Sequence, residues 1–141
     1  MGYTRYWTRT EKPISEEFVS EVKKIIASSE KQGIHICDSY GTYLPIVSLE
    51  CIYLNGNAEI NADHESFIVT NKSGKDFCKT NRKPYDYAVR QILAVGEKLG
   101  IFTDVSSDKP EETIIKTDNS FVSEEKSWDE FFNQISKKNN S

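Results

Sequence analysis

The stretch DFCKTNRKPYDYAVRQ, residues 76–91, sets four cations (Lys79, Arg82, Lys83 and Arg90) beside a thiol and two tyrosines, Tyr85 and Tyr87. A second island opens the chain: in YTRYWTRT, residues 3–10, Arg5 and Arg9 bracket Tyr6 and Trp7. These residue types suit a phosphate-bearing, nucleotide-like anion. Arginine offers a bidentate fork to phosphate oxygens, the amides of a helix N-terminus add donors, and aromatic rings supply faces for a base. The sequence therefore nominates Arg5, Arg9, Lys79, Arg82 and Lys83 as phosphate contacts and Tyr6, Trp7, Tyr85 and Tyr87 as stacking or shaping groups, provided that the two islands converge. Two charge-assisted contacts at roughly 1.5–3 kcal/mol each and one stack at about 1–3 would then support micromolar affinity before further contacts are added.

Other chemistries find less to stand on. Neither GxGxxG nor GxxxxGK[ST] is present, which argues against a dinucleotide site or a P-loop, and GxSxG and HExxH are absent as well. His35 and His64 are the only histidines, and in Asp63-His64-Glu65 neighbouring side chains on a strand would point to opposite faces, so no metal or other cofactor is expected. Cys37, Cys51 and Cys78 form an odd set without a CxxC pair, as expected of reduced thiols in a cytoplasm. The cations that follow Cys78 would lower its pKa, whereas Cys37 and Cys51 read as small buried side chains.

The charge pattern narrows the partners. The 141 residues carry a net charge of −4, yet residues 72–90 hold six cations against two carboxylates, and residues 104–130 hold nine carboxylates against three lysines. The chain as a whole should repel duplex nucleic acid and anionic membrane, while a small anion in a local basic site is shielded from distant carboxylates by a screening length of about 8 Å. No apolar run is long enough for a bilayer span, and MGYTRYW lacks the apolar region of a secretory leader.

YTRYWTRT suits a strand, and a helix follows from Ser15, with Glu16 and Glu17 at its positive end, Phe18, Val22, Ile25 and Ile26 as its stripe and Gly33 as its stop. Residues 34–70 change to a strand-like period. IHIC, PIVSLECIYL, AEIN and SFIVTN read as an antiparallel meander with a hairpin turn at Asn55-Gly56, and DSYGTYLP as a loop carrying Tyr40 and Tyr43. A second helix near Pro84 repeats Tyr85, Ala88, Val89, Ile92, Gly96 and Leu99 at three- and four-residue steps, with Arg82, Asp86 and Arg90 on another face where Asp86 can pair with either arginine. IFTDVS reads as a strand, TIIKT as a short one, and residues 127–136 as a last helix capped by Ser127 and Glu130. The expectation is one α+β domain over residues 1–136, an antiparallel meander packed with two to three helices, ending in a flexible tail at 137–141.

Three ordered motifs, MGYTRYW, DFCKTNRKPYD and VSSD, resemble a family of small phage and bacterial proteins that begin MGYTHYW and carry DFCKTARKPYD and then VSSDG. The resemblance runs from Met1 to about Asp108; Arg5, Asn81 and Lys109 depart from the family's His, Ala and Gly. It implies a phage-type accessory protein of the host cytoplasm, of the kind that counters host defence, and supplies no activity. Joined to the two islands, it suggests a non-catalytic sponge for a nucleotide-like immune signal, a role that leaves a homo-oligomeric pocket open. The alternative is an inhibitor of a host defence protein that uses an acidic surface including Asp108, Glu111, Glu112, Glu124 and Glu125; a nucleotide-signal hydrolase is third.

Overall fold

The computed structural model describes residues 2–108. Its elements run β1 (Thr4–Arg9), α1 (Glu16–Lys31), β2 (Ile46–Val47), β3 (Cys51–Leu54), a 3₁₀ turn (Ala58–Ile60), β4 (Phe67–Thr70), β5 (Gly74–Lys79), α2 (Asp86–Lys98) and β6 (Phe102–Ser107). The fold is α+β: two helices and two antiparallel three-stranded sheets, ordered β5-β1-β6 and β2-β3-β4. The expected TIIKT strand, the last helix and the tail lie outside the described residues. Among those described, no helix is long and apolar enough to cross a membrane.

Local chemistry explains the elements. Ser15 caps α1 by accepting the Phe18 amide at 3.1 Å, and Gly33 ends it at φ 83°. Helix α2 buries Ala88, Val89, Ile92, Leu93 and Gly96. At Gly96 the Phe102 ring lies so close that a Cβ would come 2.2 Å from it, so glycine is what lets β6 approach the helix. Both helices and both sheets feed one core, in which Trp7 sits 5.2 Å from Phe67 and 6.0 Å from Phe102, centroid to centroid, and Phe102 packs edge-on to Phe18.

The expected meander is corrected in four places. DFCK belongs to a strand, β5, which leaves its chain neighbour β4 and pairs along the whole of β1, from Thr4 opposite Lys79 to Arg9 opposite Gly74. AEI forms a 3₁₀ turn, because the Asn57 side chain accepts the Glu59 amide and caps it. Asn55-Gly56 does not make a two-residue hairpin. The Asn55 backbone pairs with Cys37, its carboxamide oxygen accepts the Gly56 and His64 amides, and its nitrogen donates to the His64 carbonyl. That buried amide closes a wide connection from β3 to β4, and IHIC supplies one bridge residue in place of a strand.

Candidate functional site

Strand β1 is the centre of its sheet, so its alternating side chains separate two faces with different fates. Arg5, Trp7 and Arg9 face inward. Trp7 is 2% exposed and belongs to the core, so its ring offers no face to a ligand. Arg9 is equally enclosed: Nε donates to the Thr70 carbonyl at 2.8 Å, Nη1 to the carbonyls of Thr10 and Lys12, and Nη2 to Asn71 Oδ1. Burial lowers its pKa, and the carbonyls compensate the enclosed cation without a carboxylate.

Arg5 is committed to Asp86. Nε and Nη2 each reach one carboxylate oxygen at 2.8 Å, and Thr80 Oγ1 donates to the same carboxylate at 2.6 Å. This pairing joins residues 81 apart and replaces the expected helical pairing of Asp86 with Arg82 or Arg90. Burial pulls the Arg5 pKa down, but the hydrogen bonds and charge of Asp86 outweigh it and leave the pKa raised.

Tyr85 and Cys78 serve the seam between the sheets. The edge of β4 and the residues before it present carbonyls towards β5, and these are satisfied by side chains: the Tyr85 hydroxyl donates to the Glu65 carbonyl, and Cys78 Sγ donates weakly to the carbonyls of Glu65 and Ser66. Tyr85 is fully buried, and its ring cannot stack on a ligand. Burial pushes the Cys78 thiol up to about 12; the charge of Glu65 adds to this, and the Tyr85 hydrogen bond opposes it. The lowered pKa expected from the cations that follow Cys78 is overturned, because the thiol points into the core while Lys79 stands on the other side of the strand and Arg82 and Lys83 lie in the turn beyond it. Tyr87 is also buried, under the Arg90 guanidinium, whose centre lies 5.2 Å from its ring.

The outward face differs. Register sets Tyr6 directly beside Phe77 on β5 and beside Ser106 on β6; Thr4 lies beside Lys79, and Thr8 between Lys75 and Thr103. Tyr6 is 41% and Phe77 57% exposed, and both lysines are exposed. At the Thr4 end the Lys79 side chain lies across Gly2. There β5 gives way to the turn Thr80–Lys83, closed by the Lys83 amide to the Thr80 carbonyl, with Asn81 and Arg82 both left-handed at φ 55° and 57°. Asparagine tolerates that region and arginine does not favour it; the Arg82 guanidinium is held 4.1 Å from the Tyr3 ring centroid, a contact that offsets part of the strain. Lys83 turns away, and its Nζ donates to the Asn61 carbonyl at 2.9 Å.

Of the nine residues nominated from sequence, Tyr6 and Lys79 thus share an accessible face of the sheet and Arg82 is exposed apart from them, on the Tyr3 ring, while Arg5, Trp7, Arg9, Tyr85 and Tyr87 are enclosed and Lys83 is engaged elsewhere. Phe77 and Lys75 escaped the sequence reading. Their signal was the alternation KDFCK, in which Lys75, Phe77 and Lys79 share one face once the segment is taken as a strand. A groove of about 620 Å³ lies between α1 and the β2–β3 turn, lined by Val19, Ala27, Val47 and Leu49 with Lys23 and Lys24, and none of the nine lines it. No group of three or more potential metal ligands occurs among the described residues. Comparison with known proteins finds no family model, curated protein or solved structure that matches this chain.

Proposed function

We propose that the protein binds a small, anionic, nucleotide-like ligand on the outward face of the β5-β1-β6 sheet, at Tyr6 and Phe77, and holds it without chemistry, in the phage-accessory, counter-defence role suggested by the three sequence motifs. One observation carries this reading: Tyr6 and Phe77 stand exposed side by side, with Lys75 and Lys79 on either side along β5. A base laid on an aromatic ring gains about 1–3 kcal/mol by stacking, and a lysine at the strand's next outward position reaches the attached phosphate. Arg82 adds a further exposed cation at the Lys79 end. Calorimetric titration with mononucleotides and cyclic nucleotides tests it. Heat that disappears in a Tyr6→Ala, Lys79→Gln double variant supports the reading, and recovery of intact ligand after heat denaturation distinguishes a sponge from a hydrolase. Absence of heat with every nucleotide refutes it.

A second reading, a host protein partner, is favoured by a different observation. The loop from Asp38 to Pro45 is fixed by the Asp38 carboxylate, which accepts the amides of Tyr40, Thr42 and Tyr43, and it presents Tyr40, Tyr43 and Leu44 at 71–80% exposure. A rigid loop with exposed apolar tips is a good anchor for a protein surface. Host protein retained by the wild type and lost with a Tyr43→Ser, Leu44→Ser variant would favour it. The acidic residues first considered for that role lie, apart from Asp108, outside the described residues.

A further inference from the structure

Granted the nucleotide reading, the same sheet face specifies how large its ligand is. We infer that the ligand carries two stacking bases on a phosphate-linked backbone, so that a single-stranded dinucleotide is its smallest complete form and a short single strand binds at least as well. Tyr6 and Phe77 are register partners on adjacent antiparallel strands, which sets their Cβ atoms about 5 Å apart and gives two ring faces where one base needs a single face. Lys75 and Lys79 are two residues before and after Phe77 on the same side of β5, about 7 Å away in each direction. The cations therefore span about 14 Å along the strand, a length a single phosphate cannot bridge and a dinucleotide with its flanking phosphate can. Thr8, Ser106 and Thr103 add hydroxyls along the row for sugars or base edges. Aromatic residues on adjacent strands of an open sheet stack two or three successive bases in single-strand-binding modules, the same physical solution on unrelated sequences.

Charge and shape agree. A duplex hides its base faces within its own stack and brings a phosphate density that the chain's net charge of −4 opposes, while a short single strand offers bare faces and few phosphates to a local pair of lysines. Neutralising two phosphates of a single strand gives a slope of about −1.4 in log K against log salt, and losing one lysine reduces it by about 0.7.

The test compares adenosine monophosphate, the 5′-phosphorylated adenosine dinucleotide, a ten-nucleotide single strand and the corresponding duplex by calorimetry with the full chain at several salt concentrations. The dinucleotide and the single strand are expected to bind about tenfold or more tightly than the mononucleotide, the worth of one added stack, and the duplex more weakly than the single strand. Phe77→Leu keeps an apolar group but removes the ring face; it should abolish the dinucleotide's advantage while leaving the melting temperature within a degree or two. Lys79→Gln should flatten the salt slope. Equal affinity for mono- and dinucleotide overturns this inference and leaves the simpler binding reading standing; binding of none of the four overturns both. Duplex binding as tight as the single strand also overturns it, since stacking would not be the source of affinity.

Discussion

Removing the Arg5 guanidinium tests whether this residue is a structural clamp. The Arg5 and Asp86 side chains are only 13% and 15% exposed, and two parallel 2.8 Å contacts join them. An exposed pair is worth about 0–1 kcal/mol, whereas deleting one partner of a buried pair costs about 3–5. This pair lies nearer the second limit, and the survivor decides the order. In Arg5→Ala the Asp86 carboxylate keeps the Thr80 hydroxyl and the N-terminus of α2, which point to a loss of about 2 kcal/mol. In Asp86→Ala the guanidinium is left, among the described residues, with the Tyr3 ring, whose centroid lies 5.2 Å away, and Thr80 loses its acceptor, so about 3 kcal/mol is expected. Urea unfolding of the full chain measures both. With a slope of about 1–3 kcal/mol per molar, the midpoint should fall by about 0.7–3 M. A double-mutant cycle isolates the pair and should give a coupling of at least about 1.5 kcal/mol. A coupling below about 0.5 kcal/mol, or an Arg5→Ala variant as stable as wild type that has lost nucleotide binding, would refute the clamp and return Arg5 to the ligand.

Gly96→Ala should cost about 1–3 kcal/mol or more by forcing the Phe102 ring off α2, whereas Ala94→Gly on the exposed side of the same helix should cost no more than about 1, as read by thermal unfolding. With its pKa pushed up to about 12, Cys78 should resist thiol reagents at pH 8 until the protein unfolds, while the half-buried Cys51 reacts first. The Tyr85 pKa is raised too, chiefly by burial, so both groups contribute stability that is complete below their unfolded values and is lost as pH rises from about 9 towards 12; alkaline melting curves should show this loss, and Cys78→Ala should lessen it. Burial tends to raise the Asp38 pKa, but the amides of Tyr43, Thr42 and Tyr40 outweigh it and hold the carboxyl low, so the loop's ordering is present at neutral pH and lost as pH falls through that depressed value; the three amide resonances should titrate together below the usual range of about 4.

The local elements were legible because their causes are local. Ser15 with Glu16 and Glu17 announces α1, the spacing of Ala88, Val89, Ile92 and Gly96 announces α2, and the alternation of YTRYWTRT announces β1; capping, periodicity and side-chain branching act within a few residues. The two basic islands, whose convergence the sequence left as a condition, do lie side by side, since β1 lies against β5 and the start of α2, but their groups divide between the two faces of the sheet and line no common hollow. Their inner members were misjudged for one reason: composition reports which groups are present and not which carbonyls and carboxylates lie waiting for them.

The sequence by itself determined the α+β class, the helical boundaries and the positive character of residues 72–90, all of which follow from residue type and short-range spacing. Only the tertiary structure decided which cations and rings remain accessible. Arg9, Tyr85 and Cys78 are spent on the carbonyls beside β4, Arg5 on Asp86, and Trp7 on the core, because a buried polar group must be paired and an aromatic ring gains most where water is excluded. What that pairing leaves outside, Tyr6 and Phe77 between Lys75 and Lys79, is set by a strand register that no local pattern encodes.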